Sequence, residues 1–177
     1  MIVFEEQLER IVNILPSITD STSVVFPMNY NWGTIEVLNK FLLLPSEQSK
    51  YPLIWLVTGL DKNDLREPSV TRKARIIIAT RSLNVNELNP FQYQNDFKVI
   101  LQPIADNLLK GLQLSGISRY DDRSFTSERV PNYSVTYRQE HEDKTKANQI
   151  DIWNAIVLDL DLTFYRVTNC IQTNIFN

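Results

Sequence analysis

DIWNAIVLDLDLTFYRV (Asp151–Val167) decides the fold, because its pattern has period two from end to end. In an extended chain, Ile152, Asn154, Ile156, Leu158, Leu160, Leu162 and Phe164 fall on one face, which is apolar except for Asn154. Asp151, Trp153, Ala155, Val157, Asp159, Asp161 and Thr163 fall on the other, with polar character concentrated toward the C-terminal half. Alternation of this kind predicts an antiparallel strand with one side in the core and both aspartates on the wet side.

The same residues contain Asp-x-Asp-x-Thr, the arrangement by which haloacid-dehalogenase-like phosphatases present a nucleophilic carboxylate. On that reading Asp159 would be the nucleophile and Asp161 the general acid and base beside Mg²⁺. The chemistry needs a glycine-permissive turn straight after the strand, then a lysine and further acids downstream. Leu162 stands where the glycine is expected, no lysine or carboxylate side chain follows Asp161, and the alternation continues to Phe164. The sequence therefore favours a structural strand over an enzyme.

Working outward, TRKARIIIATRS (Thr71–Ser82) places Ala74, Ile76 and Ile78 on one side and Lys73, Arg75 and Ile77 on the other. Lys73, Arg75 and Arg81 share a face and could pair across strands with the aspartates, each such pair being worth about 0.2 to 1 kcal/mol. YPLIWLVTGL (Tyr51–Leu60) reads as a central strand buried on both faces, and VVFP (Val24–Pro27) and YSVTYRQE (Tyr133–Glu140) as further strands. Phe4, Leu8, Ile11, Val12 and Leu15 recur at helical spacing before Pro16, and Ile35, Leu38, Phe41 and Leu42 mark a second helix. The longest helical stripe carries Phe97, Ile100, Leu101, Ile104, Leu108 and Leu112, with Asn95 as a candidate cap and Gly116 as the stop. Pro103 interrupts it, so the helix either kinks there or starts anew with Pro103 in its first turn. RYDDRSFTSERVPN (Arg119–Asn132) shows no periodicity, and HEDKTKANQ (His141–Gln149) reads as an exposed loop tip. The expected architecture is α+β: one domain, residues 1–177, with helices on one face of a mainly antiparallel sheet and an extended tail at 165–177.

Composition narrows the chemistry. A formal charge of −3 leaves no electrostatic footprint for gripping nucleic acid. Cys170 is the only cysteine and His141 the only histidine, so neither an internal disulfide nor a histidine-rich metal site is expected. Gly33, Gly59, Gly111 and Gly116 match no phosphate-binding loop, and no metal or other cofactor is expected. Acids near the N-terminus speak against a secretory signal, and no apolar run approaches the roughly 20 residues of a membrane helix. The expectation is a soluble, cytosolically folded protein. Tyr30, Trp32, Tyr93, Tyr120, Phe125, Tyr133 and Tyr137 lie in or beside polar segments, where aromatics serve either interfaces or the core.

The succession of opening helix, YPLIWLV, polar loop, ARIIIATRS, the proline-bearing helix FKVILQPIADNLLKGL, and the closing YSVTYRQE and IWNAIVLDLDLTF resembles that of phage tail-terminator and head-to-tail joining proteins. The likeness is one of layout from Phe4 to Phe164; Val24–Ser49 has no counterpart in it. It implies a non-enzymatic virion subunit, made in the host cytoplasm, that forms a homo-oligomeric ring of about 6 or 12 copies in the neck. Its implied partners are the portal or connector and tail proteins, with DNA passing through unbound and no membrane involved. The polar loops Leu60–Val70, with Asp61, Lys62, Asp64 and Arg66, and Gln139–Gln149, with His141, Glu142 and Lys144, are then the candidate docking elements. Asp159 and Asp161, with Lys73, Arg75 and Arg81, become candidate channel-lining or interface residues, the aspartates forming an acidic patch that repels DNA. An intracellular adaptor using the same loops is the alternative.

Overall fold

The computed structural model describes residues 3–19, 25–43, 50–58, 68–81, 93–131, 133, 153–166 and 176. Its spine is a pair of long antiparallel strands, β5 (Ser69–Arg81) and β8 (Trp153–Tyr165), in register from Ser69 opposite Tyr165 to Arg81 opposite Trp153. Around it the order is β3 (Asn29–Gly33), β4 (Leu53–Val57), β5, β8 and β6 (Ser118–Tyr120), with β7 (Thr126–Val130) pairing beside β6 on the same side of β8. Only β3 and β4 run parallel, so the sheet is mixed and mostly antiparallel. A separate ribbon joins β1 (Ile18–Thr19) to β2 (Val25–Phe26), the latter within the predicted VVFP strand.

Three helical units cover the sheet. The even-numbered residues Ile156, Leu158, Leu160, Leu162 and Phe164 of β8 join Ala74, Ile76 and Ile78 of β5 in one cluster. Over them lie α1 (Phe4–Val12), through Phe4, Leu8 and Ile11, and the long helix from Tyr93 to Leu114, through Phe97, Leu101, Ile104 and Leu108. The odd-numbered Trp153, Ala155 and Val157 build a second cluster with Trp55, Ile77 and Ala79, roofed by Leu38 of α2 (Ile35–Leu43). The helices are therefore not confined to one face. The spine is apolar on both sides in its Trp153 half, and a sheet buried on both sides needs two covers. The side chain of Leu42 lies outside the described residues.

Local chemistry accounts for the element ends. Glu5 and Glu6 sit in the first turn of α1 and Arg10 in its last, each complementing the helix dipole. Thr34 caps α2, its Oγ1 accepting from the Val37 amide at 3.4 Å. The long helix is π-helical from Tyr93 to Leu101 and becomes α3 (Gln102–Leu114) with Pro103 in the first turn, as one of the two alternatives anticipated. Proline lacks an amide and crowds the carbonyl four residues back, so the wider winding sits immediately before it. Asn95 is not the cap, because the helical path already begins at Tyr93. Gly116 ends the helix at φ +76°, and Ser118 Oγ donates to the Leu112 carbonyl at 2.6 Å.

Other parts of the sequence reading also differ from the structure. β4 is interior but one strand in from the β3 edge; β5 and β8 are central because they carry the two longest ladders. The stretch Arg119–Asn132 contains β6's end and all of β7, joined by a turn in which Asp121 Oδ1 accepts from the Arg123 amide at 2.9 Å. β7 shows no alternation because Thr126 to Arg129 are all exposed at the sheet edge. β3 was hidden for a related reason, its Asn29, Asn31 and Gly33 being poor strand formers. The predicted strand Tyr133–Glu140 lies outside the described residues except for Tyr133, whose ring packs 4.6 Å from Trp153.

Candidate functional site

Where the second cluster stops, the odd-numbered face of the spine opens to water. Thr71 and Thr163 share a hydrogen bond at 2.7 Å, Lys73 stands opposite Asp161, and Arg75 opposite Asp159. Arg75 closes a two-pronged contact, Nε donating to Asp159 Oδ1 at 2.8 Å and an Nη to Oδ2 at 2.9 Å. The hydrogen bond to Asp159 raises the guanidinium's pKa above its ordinary value. The adjoining β6 and β7 place Arg119 opposite Thr163, Thr126 opposite Asp159 and Glu128 opposite Val157. The result is two rungs of opposite charge, cations on β5 and anions on β8, rather than an acidic patch: each aspartate has a cation beside it in register.

The predicted residues thus separate. Asp159, Asp161, Lys73 and Arg75 are brought together on one surface. Arg81 shares their face but lies at the far end of β5 opposite Trp153, away from both aspartates. Asp61, Lys62, Asp64, Arg66, His141, Glu142 and Lys144 lie outside the described residues, as do Tyr137 and Cys170; of the two candidate docking loops only Pro68, Ser69 and Val70 are described, and Ser69 and Val70 open β5. β8 does not turn at Asp161; it continues paired to Tyr165.

Two polar constellations were not anticipated. Asn154, fully buried on the otherwise apolar face, donates Nδ2 to Asp96 Oδ2 of the π-helical segment at 2.7 Å. Burial pushes the Asp96 carboxyl above its ordinary pKa, and the Asn154 bond offsets part of that. Asn154 itself was the signal: a polar side chain on a core face needs a partner. Beside it, Arg129 packs over the Tyr93 ring at 5.4 Å and donates to Gln102 Oε1 at 3.0 Å. At the other end of the sheet, Arg72 Nη1 meets Glu5 Oε1 at 3.0 Å and lies 4.9 Å over the Phe4 ring, while the Tyr30 hydroxyl donates to the Glu5 carbonyl at 3.0 Å. Burial, with Glu5 and Glu9 nearby, raises the Tyr30 phenol's pKa. These contacts tie α1 to β3 and β5.

Among the described residues no group of three or more His, Cys, Asp or Glu side chains is placed to hold a metal ion. No helix among them is long and apolar enough to cross a membrane. No protein-family model, curated protein or solved structure matches this chain.

Proposed function

We propose that this chain is a structural virion subunit of the tail-terminator or head-to-tail joining type, assembling into a ring in the phage neck between the portal or connector and the tail. The observation that carries the reading is the unbroken β5–β8 spine, whose exposed half presents paired rungs of opposite charge, cationic on β5 and anionic on β8. Such a surface suits contact with another protein, because mixed charges specify register without a strong net field. It suits a DNA-repelling channel wall less well, since Lys73 and Arg75 offset Asp161 and Asp159. We therefore assign the ladder to the contact between subunits, head to tail around a closed ring. Asp159 is poorly placed as a nucleophile, both its oxygens being held by Arg75 on a strand that does not turn.

Sedimentation velocity with electron microscopy of the purified protein, alone and with its neck partners, tests the assembly. Closed rings are expected, and Asp159→Arg with Asp161→Lys should disperse them without unfolding the subunit. A chain that never self-associates and is missing from purified phage particles would overturn the reading in favour of an adaptor. Magnesium-dependent phosphatase activity abolished by Asp159→Asn would overturn it in favour of an enzyme.

A further inference from the structure

We propose that β3 is a pairing edge for a second copy of this chain, the two β3 strands meeting antiparallel about a two-fold axis at Asn31. The backbone of β3 sets the geometry. The Asn29 amide donates to the Pro52 carbonyl at 3.1 Å and the Gly33 carbonyl accepts from the Thr58 amide at 3.0 Å, so the odd-numbered residues turn their backbone groups toward β4. Tyr30 and Trp32 therefore turn theirs outward, where no strand among the described residues pairs with them. The outward amide of Trp32 is held instead by a side chain, Asn31 Oδ1 accepting from it at 2.8 Å. That oxygen stands where the carbonyl of a paired strand would stand, and rotation about the Asn31 side-chain bonds removes it without moving the backbone.

The two edges of the sheet are defended unequally. On the far edge, β7 carries Glu128 and Arg129, and residues 120 to 126 run past only residues 162 to 159 of β8, a bulge that spoils the edge for pairing. Residues 26–35, around β3, hold no charged side chain. An uncharged edge suits a two-fold contact, because a residue on the axis meets its own copy and like charges directly opposite destabilise a strand pair. Centring on Asn31 sets Tyr30 opposite the second copy's Trp32, and Trp32 opposite its Tyr30. Both positions point their backbone outward, so each pair exchanges two hydrogen bonds while its aromatic rings lie side by side on the face that α1 covers. Trp32 is 50% exposed on that face, and Val37 of α2, 46% exposed, stands over Gly33 on the other. The edge thus carries apolar surface on both sides, with a tryptophan of the kind that anchors protein contacts.

This contact does not rest on the ring reading: it lies on a different surface from the charged rungs, and it relates two copies by a two-fold, whereas ring neighbours repeat head to tail. Asn31→Asp and Asn31→Lys each place like charges on the axis, and the aspartate keeps an oxygen for the Trp32 amide. Sedimentation equilibrium is expected to show the parent pairing, each variant alone pairing at least tenfold more weakly, and an equimolar mixture of the two restoring the pair. In a Cys170→Ser background, Asn31→Cys is expected to join two copies by a disulfide under mild oxidation, since Cα atoms facing each other on the axis lie about 4.5 Å apart, within disulfide reach. Val25→Cys, at an exposed position off the axis, is expected to stay a thiol in the same conditions. Asn31 variants that pair as well as the parent, or Asn31→Cys chains that never link, overturn the edge contact, and rings that persist in such samples leave the ring reading standing. Pairing lost in Asp159→Arg with Asp161→Lys but kept in Asn31→Lys would assign the two-fold to the charged rungs and overturn the edge contact too.

Discussion

Arg75 grips both oxygens of Asp159, yet 56% and 42% of the two side chains' surfaces face water, so solvent screens most of the attraction. A double-mutant cycle with Arg75→Ala and Asp159→Ala, read by urea denaturation, is expected to give a coupling of about 0.5–1 kcal/mol at low salt. In about 0.5 M salt it should shrink; a coupling well above that range and indifferent to salt would mean the pair is far drier than its exposure indicates. Gly33 is constrained more tightly. Its φ is +153°, an added Cβ would lie 3.1 Å from Val37 Cβ and 3.2 Å from Trp55 Cζ2, and its carbonyl accepts from Trp55 Nε1 at 3.2 Å. Gly116, at φ +76°, has nothing within 4 Å of that position. Gly116→Ala is expected to cost about 1–2 kcal/mol, the backbone penalty alone. Gly33→Ala should cost more in the same assay, because α2 or the indole must also give way; equal losses would show that the crowding is relieved freely.

The π-helical segment joins the long helix to the sheet through a polar contact beneath it, between Asp96 and the buried Asn154. Because burial raises the Asp96 pKa in the folded chain, the native state holds that proton more tightly than the unfolded state. Its contribution therefore favours folding at low pH and declines as pH rises from the ordinary carboxylate range near 4 through the higher folded value. In Asp96→Asn that loss should vanish, so the variant gains stability relative to the parent as pH climbs through this window, as urea midpoints at successive pH values will show. A difference between the two that stays constant with pH would refute the linkage. The legibility of the elements follows the same logic of burial. β8, β5, α1 and the stripe of α3 were readable because each repeats one period against a core. β3 and β7 were not, since edge strands with exposed side chains carry no such period. Within the site, alternation placed Asp159 with Asp161 and Lys73 with Arg75. The register that pairs Arg75 with Asp159, 84 residues apart, is set by the packing of the whole spine and has no local signature.

At the scale of the molecule, the two hydrophobic clusters lie on opposite sides of the same two strands. Ile76, Ile78, Ile156 and Leu158 face α1 and α3, while Ile77, Ala79, Ala155 and Val157 face α2. Neither cover can be lost without exposing apolar surface on β5 and β8, whose alternate residues hold the other cover in place. Cooperative unfolding as one unit follows from that shared pair. The tryptophans make this measurable: Trp55 and Trp153 are buried in the α2-side cluster, whereas Trp32 is 50% exposed at the β3 edge. Tryptophan emission therefore reports mainly on one face, and far-ultraviolet circular dichroism draws more of its helical signal from the other. Their urea transitions are expected to coincide. Leu38→Ala, which removes a fully covered side chain of α2, should shift both midpoints together by the equivalent of about 2–5 kcal/mol. An emission change that precedes the loss of helical signal would instead show that α2 and its cluster open separately, and that the spine can remain paired under a single cover.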